Sequence, residues 1–85
     1  MKLKIINFNE LAAEKGYSGK SLLLKLGAGK NAYECFENGC GIGYDLAKDL
    51  YNFFGEAKFI KIINFEGDTL NGFKSKYVKV GNKLY

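Results

Sequence analysis

The segment Tyr17–Gly39, YSGKSLLLKLGAGKNAYECFENG, decides the fold of this chain because its glycines and apolar residues predict two short helices. Ser18 favours the start of the first helix, since its hydroxyl can accept a bond from a backbone N–H, and a leucine-rich run follows. Gly27 is predicted to end this helix, Lys30–Glu37 to form the second, and Gly39 to end that one.

Two short helices that meet across a short turn containing glycine are typical of the helix-turn-helix motif. The segment resembles the Cro and phage-repressor family. A typical run there reads glycine, a hydrophobe, Ser-Gln, two polar residues, Leu-Ala, two polar residues and Leu-Gly, and Trp-Glu-Asn-Gly follows later. The matching residues here are Leu22, Leu26-Gly27 and Phe36-Glu37-Asn38-Gly39, with Phe36 where the family usually has tryptophan. The resemblance covers roughly residues 8–65.

The resemblance implies a sequence-specific site for double-stranded DNA on the second helix. Carried over by position, Lys30, Asn31 and Glu34 would face the groove, while Ser18 and Lys20 would lie near the DNA backbone. Asn can pair with adenine, Lys with guanine or phosphate, and Glu with the amino group of cytosine. The implied function is that of a small transcriptional regulator of phage or mobile-element type. A homodimer would place two such helices about 34 Å apart.

Several departures from the family pattern support a second hypothesis. Gly19 replaces the usual glutamine, Gly29 a frequent Ser or Thr, and Leu23 the usual small alanine. Leu24 falls on the usually polar outer face of the first helix, and Glu34 adds negative charge where phosphate is near. The alternative is that the helix pair serves as a scaffold whose surface binds a protein partner, as an interaction module or inhibitor.

The flanking segments predict a mainly α fold. Met1–Ile6 alternates like a strand, and a short helix is predicted from about Asn9 to Lys15, with Asn7 or Asn9 as its cap. Tyr44–Phe54 has helical spacing, and Ala57–Phe65 fits either a strand or a helix, of which the resemblance favours the helix. The result is a four- to five-helix repressor-like bundle.

The last residues are predicted to form a small β hairpin. Tyr77–Val80 alternates apolar and polar residues like a strand, and Gly81-Asn82 suits a two-residue turn. Lys83–Tyr85 would form the second strand. The hairpin would gain stability from pairing with Lys2–Ile6. Possible phosphate contacts in this region are Lys74, Lys76, Lys79 and Lys83. The alternative for these lysines is a charged edge that discourages strand aggregation.

Aromatic residues near the C-terminus admit two interpretations. Together with exposed Leu24, they could form a homodimer face, or they could complete a small core. The residues concerned are Phe73, Tyr77 and Tyr85.

Length and composition indicate one domain, residues 1–85, with a helical core at 8–65 and a basic β appendage at 66–85. The formal net charge is +4. Residues 1–56 contain seven lysines and seven acidic residues, whereas residues 57–85 contain six lysines and two acidic residues, so the excess lies in the second part. All basic residues are lysine, which leaves no arginine to read guanine.

The composition argues against several other classes. No apolar run approaches the length of a membrane span, and the first residues lack a signal-peptide pattern, so a cytoplasmic location without membrane contact is expected. Cys35 and Cys40, with no histidine in the chain, fit a reducing compartment and a structural or incidental role. Two thiols cannot complete a tetrahedral zinc site. No metal, cofactor or enzymatic activity is predicted.

Overall fold

Apolar residues at helical spacing form six helices in the computed structural model, which describes residues 1–85. The helices are α1 Ile5–Glu14, α2 Gly19–Lys25, α3 Ala32–Glu37, α4 Tyr44–Phe54, α5 Glu56–Ile62 and α6 Leu70–Lys74. The strands are β1 Lys2–Leu3, β2 Ile63–Asn64, β3 Lys79–Val80 and β4 Lys83–Leu84. The mainly α class is confirmed, with six helices where four or five were expected. None of the helices combines the length and apolar character needed to cross a membrane.

The first helix begins earlier than predicted. The expectation of a strand over Met1–Ile6 is wrong beyond β1, and α1 starts at Ile5. The reason is spacing: Ile5 contacts the core, and Phe8 and Ala12 follow it at three- and four-residue intervals and are buried. The asparagines expected as caps lie inside α1, where the Nδ2 of Asn7 donates to the carbonyl of Lys61 at 2.9 Å.

The N-terminal strand pairs with a different partner from the one predicted. In β1 and β2, Lys2 lies opposite Asn64 and Leu3 opposite Ile63, in an antiparallel sheet. The predicted pairing of Lys2–Ile6 with the C-terminal hairpin is therefore wrong. The predicted helix over Ala57–Phe65 ends at Ile62 for the same reason, because Leu3 and Ile63 are both buried in this register.

The β hairpin is confirmed. In β3 and β4, Lys79 lies opposite Leu84 and Val80 opposite Lys83, and Gly81 in the turn has a positive φ of 63°. The hairpin is fixed to α4 through Asn52, whose Oδ1 accepts from the Leu84 N–H at 2.8 Å. The Nδ2 of Asn52 donates to the Leu84 carbonyl at 2.9 Å.

One core of fifteen buried apolar residues spans the helices and the hairpin. Phe59 of α5 lies within it and stacks on Phe73, with ring centroids 5.2 Å apart. Phe73 belongs to α6, a helix that was not predicted and that Thr69 caps by accepting from the Gly72 N–H at 2.9 Å. Phe73 thus completes the core, whereas Tyr85 is 64% exposed.

Candidate nucleic-acid interface

A capping box fixes the start of α2. The Oγ of Ser18 accepts from the Ser21 N–H at 3.1 Å, and the Ser18 N–H donates to the Oγ of Ser21 at 3.0 Å. The predicted N-cap is confirmed. Gly27 follows α2 with a φ of 89°, a conformation that favours glycine, and this allows the chain to turn towards α3.

Three helices meet closely at Gly19, the buried first residue of α2. A Cβ atom there would collide with the Oδ1 of Asn9 and lie 2.8 Å from the Cε2 of Tyr33 and 3.1 Å from the Cε2 of Phe8. The Nδ2 of Asn9 also donates to the hydroxyl of Tyr33 at 2.8 Å, which links α1 to α3. The position that holds glutamine in the resembling family is therefore a packing contact in this chain.

The α3 helix starts two residues later than predicted. Lys30 and Asn31 lie in the turn before Ala32, both exposed, and Asn31 occupies the N-cap position without a side-chain capping bond. Tyr33 and Phe36 are half-buried against the core, while the other side of α3 is exposed, including Glu34. The Asn31 amide is therefore accessible at the start of α3.

Two residues predicted to contact DNA contact each other. The Nζ of Lys20 on α2 lies 3.9 Å from the Oε1 of Glu34 on α3, and the side chains are 55% and 61% exposed. An ion pair this exposed contributes little to stability and is weakened by salt. The pair bridges α2 and α3 without fixing either side chain.

Cys35 and Cys40 form a disulfide across the end of α3. The interpretation of these residues as thiols in a reducing compartment is wrong for this structure. Gly39, with a φ of 90°, reverses the chain, so that the Cys40 N–H donates to the Cys35 carbonyl at 2.9 Å and the two Cα atoms are 5.3 Å apart. This glycine between the cysteines was the sequence signal for the disulfide. Cys35 is exposed and Cys40 is half-buried.

Reduction of this disulfide is expected to lower the free energy of unfolding by about 2 kcal/mol, because the bond closes a short loop and restricts the unfolded chain. Urea denaturation followed by circular dichroism, with and without dithiothreitol, measures the change. The double variant Cys35→Ser, Cys40→Ser is the control and should match the reduced protein in both conditions. An unchanged midpoint, with both thiols titrated as free, would show that α3 does not depend on the bond.

The four C-terminal lysines do not form one strip. Lys74 lies on α6 and Lys76 follows it. On the hairpin, Lys79 shares a face with Leu84, whereas Lys83 is on the opposite face with Val80. The Nζ of Lys76 lies 4.8 Å from the centre of the Tyr44 ring.

Lys74 is already paired with a carboxylate. Its Nζ lies 2.7 Å from the Oε1 of Glu56, a contact that lowers the pKa of the Glu56 carboxyl and raises the pKa of the Lys74 amine. The hydroxyl of Tyr51 donates to the same oxygen at 3.3 Å. Burial raises the pKa of the Tyr51 hydroxyl, and the charge of Glu56 raises it further. This arrangement leaves Lys74 less available to phosphate than an unpaired lysine.

The five residues predicted to contact DNA lie at the N-cap of α2, on α2, in the turn before α3 and on α3. Ser18 is used in its own capping box, Lys20 and Glu34 pair, and Lys30 and Asn31 adjoin at the start of α3. Comparisons of the chain with protein-family models, curated proteins and solved structures find no match. The function must therefore be inferred from the residues and geometry of this chain.

Proposed function

We propose that this protein binds double-stranded DNA through the start of α3, as a small transcriptional regulator of phage or mobile-element type. The observation that supports this most directly is the exposed Asn31 amide, which makes no capping bond and adjoins the exposed Lys30. An asparagine amide matches the donor and acceptor that adenine presents in the major groove, and a lysine can reach guanine or phosphate. The proposal assigns no catalytic residue and no cofactor.

The packing of α3 supports insertion into a groove. Tyr33 and Phe36 hold one side of the helix against the core, and the Asn9–Tyr33 hydrogen bond fixes its rotation. The opposite side is exposed and carries no large apolar residue. A major groove about 12 Å wide can admit a helix presented in this way.

The charges near α3 are compatible with a polyanion. Lys20 and Lys30 balance the two acids of α3, Glu34 and Glu37, while the Nζ of Lys25 lies 5.8 Å from the centre of the Tyr17 ring. Because the Lys20–Glu34 pair is exposed and weak, a phosphate could take Lys20 at small cost. Glu34 would then be released to accept from a cytosine amino group.

The proposal also implies a location and an assembly. A homodimer on a pseudopalindromic site would place two α3 helices about 34 Å apart. DNA binding of this kind belongs to the cytoplasm, where thiol pools would reduce the Cys35–Cys40 disulfide that this structure contains. DNA binding is therefore best measured in both the oxidised and the reduced state of Cys35 and Cys40.

Fluorescence anisotropy tests the proposal directly. Labelled A/T-rich and G/C-rich duplexes of random sequence are titrated with protein at about 50 and 200 mM salt, the range in which phosphate contacts are detected. We expect binding that weakens steeply with salt, after which selection from a random library would yield a specific site. No binding at the lower salt concentration would contradict the proposal.

On a selected site, Asn31→Ala is expected to weaken binding by about tenfold and to relax preference at one base position, because one bidentate base contact is lost. Lys20→Ala combined with Lys30→Ala should instead weaken binding to every sequence and flatten the salt dependence. Lys61→Ala, which changes an exposed lysine of α5, is the matched control. Equal losses on all sequences for Asn31→Ala would show that this residue does not read a base.

One observation favours the alternative function, a protein-interaction module. Leu24 on α2 is 47% exposed, an apolar residue on the outer face of the helix that also carries Lys20. A partner protein could cover it. If the duplex titrations show no binding, Leu24→Glu is the first variant to test against partners captured by the wild-type protein.

A further inference from the structure

The β hairpin has one free edge. Val78 and Tyr85 exchange both of their backbone hydrogen bonds, each 2.8 Å long, so the next pair, Lys79 and Leu84, is of the non-hydrogen-bonded type. The backbone N–H and C=O of these two residues consequently point away from the hairpin. The N–H and C=O of Leu84 bind the side chain of Asn52 on α4. The N–H and C=O of Lys79 point to the opposite edge of the hairpin, where Lys79 is exposed.

The two faces beside this edge differ in chemistry. On the outer face, Val78, Val80 and Tyr85 are 67%, 60% and 64% exposed, and Lys83 lies on this face opposite Val80. On the inner face, Lys79 adjoins Leu84, which is buried. A strand added at the edge would alternate in the same way, with every second side chain on each face.

A hollow of about 390 Å³ lies between β3 and the turn that joins α4 to α5. Its lining includes Tyr51, Phe54, Lys58 and Lys79. Its single carboxylate, Glu56, is already bound by Lys74 and by the Tyr51 hydroxyl. The Nζ of Lys58 lies 3.6 Å from the Oε1 of Glu14, whereas Lys79 has no carboxylate within 4.0 Å. Besides the bond from Lys74, the charge of Lys79 helps to lower the pKa of the Glu56 carboxyl. The hollow therefore has an excess of positive charge.

We propose that the free edge of β3 binds an extended, acidic segment of a partner protein as a third strand. Its backbone would bond to the N–H and C=O of Lys79, which is the usual source of affinity in strand addition. Its inward side chains would bring carboxylates to Lys79, and its outward apolar side chains would lie beside Val78 and Val80. The charge of residues 57–85, six lysines against two acids, complements such a segment. A second copy fits less well, since antiparallel pairing centred on Lys79 would place two lysines directly opposite each other.

The experiment uses an eight-residue fluorescein-labelled peptide of alternating glutamate and valine, with both ends blocked. Its binding to the full chain is measured by anisotropy at low salt. The matched peptides carry lysine in place of glutamate, or N-methyl groups on the amides of one edge. We expect the acidic peptide to bind at least about tenfold more tightly than either control, because the first control reverses the charge and the second removes the strand hydrogen bonds.

Two substitutions at Lys79 distinguish the contribution of the backbone N–H to peptide binding from that of the amine charge. Lys79→Pro removes both the amine and the outward N–H and leaves the bonds between Val78 and Tyr85 intact, and proline is tolerated on edge strands. Lys79→Ala keeps the N–H and removes only the amine. Lys79→Pro should weaken peptide binding several-fold more than the alanine variant. Thermal melts check that both variants fold, and the N-methylated peptide tests the same bonds if the proline variant does not.

Three results would overturn the proposal. The first is equal binding of the acidic, basic and N-methylated peptides. The second is sedimentation of the wild-type protein as a dimer that Lys79→Pro converts to a monomer, which would make a second copy the occupant of the edge. The third is complete displacement of the peptide by a DNA duplex that binds Lys79→Ala more weakly, which would make this edge a phosphate site.

Discussion

Gly19→Val is expected to lower the free energy of unfolding by about 3 kcal/mol, because a side chain at this position has no space among three helices. The new Cβ would collide with the Oδ1 of Asn9 and lie 2.8 Å from the Tyr33 ring. Asn9 cannot turn away without losing its hydrogen bond to the Tyr33 hydroxyl. Phe8, at 3.1 Å from the Cβ, is fully buried and has nowhere to move.

Gly29, in the turn between α2 and α3, provides a control. A Cβ there meets no atom within 4 Å, and its backbone has no positive φ. Gly29→Ala should therefore change the free energy of unfolding by less than about 0.5 kcal/mol. Urea denaturation followed by circular dichroism compares the two. Equal stability of both variants would show that α1, α2 and α3 are not packed as closely as the structure indicates.

A double variant tests the origin of the Gly19 effect. Asn9→Ala removes the atom that lies closest to the new side chain, at the cost of the hydrogen bond to Tyr33. In the Asn9→Ala, Gly19→Val protein, the loss should be smaller than the sum of the single losses by roughly 1 kcal/mol, since the two sites are in contact. If the two losses of free energy are additive, the cost of Gly19→Val arises from a contact other than the one with Asn9.

The same contact changes how the proposed DNA site would work. In the resembling family, a glutamine at the start of the first helix can reach DNA, but Gly19 has no side chain and is buried. Ser18, its neighbour, uses its hydroxyl within the capping box. Base reading would therefore depend on Lys30, Asn31 and Glu34, so that Asn31→Ala should relax sequence preference most.

Sequence reasoning found the elements that are fixed by local chemistry. Ser18 caps α2, Gly27 ends it, and α4 covers Tyr44–Phe54, the segment whose helical spacing predicted it. Gly81-Asn82 forms the hairpin turn between β3 and β4. At the cap, the helix end and the turn, one or two neighbouring residues determine the backbone, so the pattern is sufficient.

Contacts between distant residues were not predictable in the same way. The pairing of Leu3 with Ile63 depends on burial of both side chains, and the alternation over Met1–Ile6 does not indicate which segment pairs with it. The Asn9–Tyr33 bond joins residues 24 positions apart, and it replaces the capping role that asparagine usually has. α6 was missed because its five residues include Gly72, a poor helix former, and because burial of Phe73 outweighs that propensity.

The candidate site likewise combines features that neighbouring residues predict with contacts that depend on how the helices pack. The exposed side of α3 follows from its apolar spacing, whereas the pairing of Lys20 with Glu34 depends on how α2 and α3 cross. The disulfide needed the left-handed Gly39 to bring Cys40 back to Cys35. Two cysteines in a short chain without histidine were otherwise compatible with free thiols.

Phe59→Ala is expected to lower the free energy of unfolding by about 3–5 kcal/mol, because it empties the centre of the aromatic core. Phe59 is fully buried, stacks on Phe73 at 5.2 Å and meets Tyr51 edge to face at 5.4 Å between ring centroids. Ile60, the next residue, is 45% exposed, and Ile60→Ala is the control, with an expected loss below about 1 kcal/mol.

The more informative result is which parts of the chain unfold together in the Phe59 variants. Phe59 on α5 and Phe73 on α6 share one core with Leu84 of β4, so the last twenty residues should lose their structure in the same transition as the helices. Phe59→Leu keeps most of the side-chain volume, so it should lower the urea midpoint of unfolding less than Phe59→Ala does. The variant should then be stable enough to show whether the hairpin and the helices unfold together. Circular dichroism reports the helices, and hydrogen exchange at the Val78 and Tyr85 amides reports the hairpin. Loss of amide protection in the hairpin well before the helical signal falls would show that residues 66–85 are a separable appendage. The free edge at Lys79 would then belong to a mobile hairpin instead of a rigid docking site.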